Sequence, residues 1–496
     1  MNGLVLASVA AFRVCAAGGP TTGAESLRAF WEAASTRRVD VVMIGDSTQL
    51  FQGHGWDEGW ARAMHARSGL FATGLHASGE NAGNGAGVGW ESITQANASQ
   101  GQFRYTGAPP HLHSTCGDGL PPLGYLFLPS GESAASLSNA GLTLRVGSPL
   151  GVNGPLRFHF VYGQFADGGA GTFRPVVRID ASPFTTLSPL TDISTAGANQ
   201  VAAGIINIPA AERNSPVAFR WTQAGGPAIR GPFFGSWMRA ERPDRISGAS
   251  VSTIYAAGGH SARDAAADLI AAPDDTLVSF FSLIRSMQQE PSLVLIRVSF
   301  GVNDRSETLP SAGPMGILPG NSAAAFEDNI GAIITRLSSI WESQGWGSES
   351  LYFVIAVSPP VSDTKDNFLP AYSTAADRIA AQRQRTASVR FDRLTSEAEL
   401  VERGWYVTPT DRTHLSAEGY IALSDREVGA LIAAAMESGG ECAADYNRDG
   451  GVDGADLEAF FTDWPLGLPR ADVNRDGGVD GSDVETFFRA WTAGGC

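Results

Sequence analysis

The sequence predicts an α/β sandwich built on a parallel sheet, interrupted by an antiparallel β-rich insert and followed by a small helical module. Two observations place the parallel sheet. Residues 39–44 (Val-Asp-Val-Val-Met-Ile), Leu293 to Phe300 and Leu351 to Val357 are short apolar runs of the kind that strands buried on both faces display. Helical patterns lie between and after them, over Ser322 to Trp341, Ala375 to Gln384 and Ala417 to Met436. A third observation places the insert. From about residue 100 to 245 the helical rhythm stops, and period-two patterns such as Leu156, Phe158, Phe160, Tyr162 and Val217, Phe219, Trp221 alternate with Gly-, Pro- and Asn-rich breaks.

A chain of 496 residues is expected to hold two or three domains. The domain divisions expected are 1–38 as an N-terminal segment, 39–100 and 246–438 as the two parts of the α/β domain, 101–245 as the inserted β-sandwich, and 439–496 as the terminal module. The insert would bind substrate or form a lid, or act only as a spacer. With 43% hydrophobic and 17% charged residues the composition is globular, and a formal charge of -16 argues against nucleic acid as a partner. Lys365 is the only lysine, which reads as genome composition.

The N-terminal run Leu4 to Phe12 lacks a positive flank and is followed by Arg13, so it makes a poor signal peptide; a short amphipathic helix fits it as well. No other apolar stretch approaches membrane-spanning length. Of the four cysteines, Cys15, Cys116, Cys442 and Cys496, none forms a Cys-x-x-Cys pair. Cys442 and Cys496 bracket the last 55 residues and suit a disulfide in an oxidising compartment, with two free thiols as the alternative.

Three short islands carry the chemistry: Gly45-Asp46-Ser47, Gly301-Val302-Asn303-Asp304 and Asp411-Arg412-Thr413-His414. Ser47 follows a strand and is expected to precede a helix beginning near Thr48, whose dipole would favour negative charge at the Ser47 N–H. Asn303 ends another strand and offers a side-chain amide. His414 can deprotonate Ser47, and Asp411 can orient its imidazole. Nucleophile, oxyanion donors and an acid–histidine pair form the inventory that acyl transfer needs. Each island alone reads as a turn or cap; the combination is what points to chemistry.

Together the islands resemble the SGNH, or GDSL-type, hydrolase family. The resemblance implies the three-layer α/β/α SGNH hydrolase fold, with Ser47 as nucleophile, His414 as base, Asp411 as its partner, and Ser47, Gly259 and Asn303 forming the oxyanion hole. The segment Asp411-Arg412-Thr413-His414-Leu415-Ser416-Ala417-Glu418-Gly419-Tyr420 matches the family's last block, and Tyr255-Ala256-Ala257-Gly258-Gly259-His260-Ser261-Ala262-Arg263 resembles a loop of polysaccharide acetylesterases. Gly258 stays open as the oxyanion glycine in place of Gly259. The resemblance covers roughly residues 39–100 and 246–436, with the β-rich insert between the first and second blocks.

After Gly439-Gly440 the chain carries an internal repeat. Asp445-Tyr446-Asn447-Arg448-Asp449-Gly450-Gly451-Val452-Asp453-Gly454-Ala455-Asp456 returns 27 residues later as Asp472-Val473-Asn474-Arg475-Asp476-Gly477-Gly478-Val479-Asp480-Gly481-Ser482-Asp483. Oxygen ligands at positions 1, 3, 5, 9 and 12, the position-7 carbonyls of Gly451 and Gly478, and glycine at position 6 suit a hard cation, so Ca2+ is expected as a structural ion. Residues 442–496 hold 11 acidic and 4 basic residues, net -7, whose self-repulsion bound cations would relieve. Asp456 and Asp483 stand where an EF-hand has Glu, and no full helix precedes each loop. This arrangement resembles a dockerin module, which implies a cohesin-like protein partner.

His111, His113 and Cys116 lack a fourth metal ligand and read as incidental. His54 and His260 are candidate pocket residues. The sequence therefore reads as an exported serine esterase without a catalytic cofactor, acting on acyl, chiefly acetyl, esters of carbohydrate. A lipid or aryl esterase of the same fold and a non-catalytic glycan-binding surface protein are the alternatives.

Overall fold

The computed structural model describes residues 19–49, 55–69, 90–96, 104–105, 125–127, 141–146, 153–164, 172–179, 193–194, 200–209, 217–225, 232–235, 238–245, 247–257, 259–272, 274–286, 293–305, 322–361, 368–437, 444–447, 452–468, 471, 473 and 478–492. Its centre is a six-stranded sheet in the order Thr21–Thr22, Thr386–Val389, Leu351–Val357, Leu293–Phe300, Arg38–Asp46, Gly248–Ala257. The last five strands are mutually parallel, and only the two-residue edge strand is antiparallel. The three apolar runs are thus strands, and every residue of Leu293–Phe300 and Leu351–Val357 is buried.

Side chains alternate between two cores. Val42 and Ile44 point to the layer holding helices Ala262–Ala271, Ala323–Ser343 and Phe368–Gln382, while Val39, Val41 and Met43 point to the layer of Arg28–Thr36, Trp56–Ser68 and Ala417–Glu437. This is the alternation a doubly covered sheet imposes. Where the second face would take an apolar residue, Leu293–Phe300 instead carries Arg297. Its guanidinium makes two bonds of 2.9 Å to the Glu427 carboxylate and lies over the Trp56 ring, 4.5 Å from the centroid. A buried charge needs such pairing, and the Trp60 indole adds a bond of 2.8 Å to Glu427.

In chain order the parallel strands run 2-1-3-4-5 across the sheet. The order therefore reverses between Arg38–Asp46 and Leu293–Phe300, and a crevice forms beyond the carboxyl ends at such a point. Register keeps those ends level: Gly45 lies opposite Ser299, and Asp46 opposite Ala257.

Described residues near two of the expected divisions join neighbouring elements. Within residues 19–38, the described part of the N-terminal segment, Thr21–Thr22 joins the sheet, and Leu27, Phe30 and Trp31 enter its core. Phe30 and Trp31 lie on helix Arg28–Thr36, nine residues long, with Leu27 just before it. At the other division, Trp90–Ala96 pairs antiparallel with Gly141–Val146, so the insert's strands begin before residue 101. The described strands of the insert form three antiparallel sheets of three, five and three strands. Helix Phe368–Gln382 starts seven residues before the expected Ala375, since Pro370 falls in its first turn, where the missing N–H has no intrahelical partner to lose.

The terminal module has two helices, Gly454–Asp463 and Gly481–Thr492. They meet through Phe460 and Phe487, stacked at 4.4 Å, with Tyr446 against both rings. The 27-residue repeat thus places equivalent aromatics face to face.

Candidate active site

Ser47 leaves the carboxyl end of Arg38–Asp46 and opens a 3₁₀ turn, Ser47–Gln49. Thr48 therefore lies in a 3₁₀ turn and not in the α-helix expected to begin there; among the described residues the next α-helix along the chain is Trp56–Ser68. The reason is local. Asp46 Oδ1 accepts the Thr48 N–H at 2.9 Å and the Thr48 hydroxyl at 2.7 Å, an Asx turn that closes the chain tightly. Burial pushes the Asp46 carboxyl upward; the two Thr48 bonds, His414 and Arg297 pull it back only in part.

His414 comes to Ser47 from 367 residues away, with Nε2 2.9 Å from Ser47 Oγ. Its Nδ1 lies 3.0 Å from Asp411 Oδ2 and 3.3 Å from Oδ1. Asp411 Oδ1 also accepts the backbone N–H groups of Thr413 at 3.1 Å and His414 at 3.2 Å. Burial raises the Asp411 carboxyl, but these bonds from His414 and Thr413 outweigh it and hold the group below the ordinary carboxylate range. Asp411 is therefore an anion that orients the ring with its Nε2 lone pair toward Ser47. The loop is pinned at both ends. Tyr406 bridges to Leu415, Val407 N–H donates to His414 O at 2.9 Å, and Ser416 bonds the first turn of Ala417–Glu437.

The flanking strands deliver the remaining groups. After Gly248–Ala257 the chain turns through Gly259, whose φ of +75 is left-handed, and Ser261 then caps helix Ala262–Ala271 with a reciprocal Asp264 capping box. After Leu293–Phe300 the chain turns at Gly301, φ +133, where a Cβ would crowd Val357 and Leu369. Asn303 Nδ2 then donates to the His260 carbonyl at 2.9 Å, tying the two loops together. An amide carries two N–H donors, so one is held by this bond while the other remains to meet a ligand. The His260 ring is fixed by the Tyr255 hydroxyl, 2.7 Å from Nδ1, which donates to Asp268 Oδ2 at 2.9 Å. Burial first, then Asp268, pushes the Tyr255 phenol upward, so it stays protonated.

Ser47, His414 and Asp411 are thus brought together as expected, and Asn303 and His260 meet through one bond. Gly259 lies in the adjacent turn. His54, Gly258, His111, His113 and Cys116 fall outside the described residues, as do Cys442 and Cys496. Sequence reasoning gave no role to Asp46, Tyr255, Asp268 or Asp304. Asp304 had the clearest signal, standing inside the Gly301–Asp304 island.

For calcium, Asp445, Asn447, Asp453, Asp456, Gly478, Asp480 and Asp483 are described, whereas Asp449, Gly451, Asp472, Asn474 and Asp476 are not. Among the described residues no three metal-ligating side chains cluster. The buried Asp456 carboxylate accepts the Asn447 N–H at 2.8 Å and the Asp453 N–H at 2.9 Å, which folds position 12 back over positions 3 and 9. In the second repeat Asp483 accepts the Asp480 N–H at 2.8 Å in the same way. The side chains of Asp445, Asn447, Asp453 and Asp456 offer oxygen donors, the type a hard cation takes. No helix among the described residues is long and apolar enough to cross a membrane.

No family model matches the chain, and no curated protein does. Among solved structures, the chain is similar to a peptidoglycan O-acetylesterase in action, at 14% identity and a TM-score of 0.46 over 83% of this chain and 94% of that one. It is also similar to a Corynascus thermopiles (Myceliophthora fergusii) carbohydrate esterase family 2 enzyme with a carbohydrate binding domain, at 16% identity and 0.25, over 60% and 94% of the two chains. A family two carbohydrate esterase from Clostridium thermocellum in complex with cellohexaose aligns at 10% identity and 0.26, over 70% and 99%. At these scores the likenesses add nothing to the sheet and the relay, whose own geometry describes a mixed α/β chain with a Ser–His–Asp arrangement at its sheet's switch point.

Proposed function

We propose that this protein is a serine esterase of the SGNH type that removes acyl groups, chiefly acetyl, from carbohydrate. The relay Ser47 Oγ–His414 Nε2 at 2.9 Å and His414 Nδ1–Asp411 at 3.0 Å is the observation that carries the reading. His414 takes the Ser47 proton as Oγ attacks the ester carbonyl carbon. The negative charge on the carbonyl oxygen is met by the N–H groups of Ser47 and Gly259 and the second N–H of Asn303. His414 then gives its proton to the departing sugar oxygen, leaving an acyl-Ser47 and a free alcohol. Water enters, passes a proton to His414 and attacks the acyl carbon; Ser47 regains its proton as the carboxylic acid departs. No metal takes part. The sugar side of the reading is supported by the likeness of Tyr255–Arg263 to the loop of polysaccharide acetylesterases.

The tail is read as a dockerin-like module that folds around Ca2+ and docks on a cohesin-like partner. Asp445, Asn447, Asp449, Asp453 and Asp456 with the Gly451 carbonyl would hold one ion, and the equivalent residues 472–483 a second. Calcium would neutralise the module's carboxylates there. The whole chain is read as working outside the cell.

Labelling with a fluorophosphonate tests the chemistry: adduct mass on the Ser47 peptide, absent in His414→Ala, is expected. A panel of acetylated polysaccharides beside long-chain and aryl esters, with released acid measured, tests the substrate. No adduct and no released acid would end the esterase reading. Release from lipid or aryl esters alone would move it away from carbohydrate.

A further inference from the structure

The Asp304 carboxylate directly follows Asn303 in the turn after Leu293–Phe300. It is 1% exposed. One oxygen accepts the Ala262 N–H at 3.0 Å; the other accepts the Gly301 N–H at 3.1 Å. Ala262 is the first residue of helix Ala262–Ala271, three positions beyond Gly259. Gly301 is the left-handed pivot two positions before Asn303. The Asp304 main-chain oxygen accepts the Tyr372 hydroxyl at 2.9 Å, which anchors Asp304 to helix Phe368–Gln382. One carboxylate therefore spans the two loops that carry the proposed oxyanion donors. The Asn303–His260 bond closes the same span on the outer side.

We infer that Asp304 is a positioning residue that sets the distance between the Gly259 N–H and the Asn303 amide, through the Ala262 and Gly301 N–H groups it holds. This rests on the esterase reading above. The physical warrant is that a donor pair stabilises an oxyanion only when both N–H groups stand near 3 Å from one point, and a shift of about 1 Å is enough to lose much of the effect. Neither loop is a strand or a helix at the donor itself. Without a shared anchor, each would follow its own strand end. A carboxylate can accept two N–H bonds at once. A carboxamide accepts through its oxygen only and would turn an NH2 toward a backbone N–H.

Kinetics with a soluble aryl acetate at pH 8 test the inference on the full chain. Asp304→Asn is expected to lower kcat about 30- to 100-fold with KM changed less than about threefold, the pattern of an interaction made only in the transition state. Ala262→Pro removes the same bond from its other end. Proline is accepted at the first helical position, so this variant keeps the inference falsifiable should Asp304→Asn fold poorly. It is expected to lower kcat similarly. Since Asp304 acts through Asn303, the Asn303→Ala/Asp304→Asn double variant should be little worse than the poorer single, whereas independent effects multiply. An active wild type whose folded Asp304→Asn or Ala262→Pro keeps kcat, raises KM alone, or combines multiplicatively with Asn303→Ala overturns the assignment. A wild type that neither hydrolyses esters nor takes the fluorophosphonate overturns the esterase reading itself, and this role with it.

Discussion

The Ser47–His414 distance of 2.9 Å ties the proposed chemistry to two side chains. Ser47→Ala and His414→Ala are expected to lower kcat about 10³-fold or more while far-UV circular dichroism stays unchanged. Near-normal turnover in purified Ser47→Ala would contradict the mechanism. Asn303→Ala should lower kcat about 10²-fold with a smaller change in KM. A change in KM alone would make Asn303 a substrate-binding group. Asp304 gives a second observable. Burial first, and then the charges of Asp46 and Asp264, push its carboxyl up to about 7 against the pull of the Ala262 and Gly301 N–H bonds. Below pH 4 both folded and unfolded chains hold this proton, so the group contributes nothing. Between pH 4 and 7 the unfolded chain has lost the proton while the folded chain keeps it, so stability falls as pH rises, by a few kcal/mol at most. Above 7 the penalty is complete. Asp304→Asn cannot titrate, so its Tm relative to wild type should rise from pH 4 to pH 7. A difference that stays flat across that window would refute the shift.

At the scale of elements, strand ends and the turns after them decide the site. Gly259 has space around its Cβ position but a φ of +75, so Gly259→Ala is disfavoured by backbone strain alone, about 1 kcal/mol. The strain falls on the turn that presents the N–H. A lower kcat with a small drop in Tm is expected, and unchanged kcat would remove Gly259 from the proposed oxyanion hole. The strand Leu293–Phe300 and helix Ala417–Glu437 are joined by the buried Arg297–Glu427 pair, both side chains fully buried. Arg297→Leu leaves an uncompensated carboxylate and should cost about 3–5 kcal/mol in urea unfolding, whereas Arg297→Leu with Glu427→Leu should recover much of the loss. A double variant no better than the single would mean that packing against Trp56 and Trp60, rather than charge, sets the cost.

Across the whole molecule, the α/β domain has its own two-sided core, and the terminal module has a separate one around Phe460 and Phe487. Deleting residues after Gly439 or adding a chelator should therefore leave esterase activity intact. The isolated module 442–496 should bind two calcium ions and show a calcium-dependent unfolding transition in calorimetry, because its empty carboxylates repel one another. A stoichiometry near zero would leave an acidic repeat without a metal.

The sequence by itself determined the parallel sheet and the relay. Short, mostly apolar runs have few structural solutions, and Ser47, Asp411 and His414 point to one chemistry when their three islands are taken together. The repeat at 445–456 and 472–483 was equally legible, since a fixed period survives without any knowledge of packing. Only the tertiary structure decided the rest. Thr21–Thr22 became an edge strand because the end of the sheet had backbone groups to pair, not because two threonines announce a strand. The turn after Ser47 became 3₁₀ because the Asp46 carboxylate captured Thr48. The bonds of Asp304 showed only once the turns after the two strands that flank Arg38–Asp46 met, bringing together Ala262 and Asp304, 42 residues apart along the chain. Local pattern reports what a segment prefers. Which groups share one buried carboxylate is set by the order of strands in the sheet, and that order is a property of the folded chain.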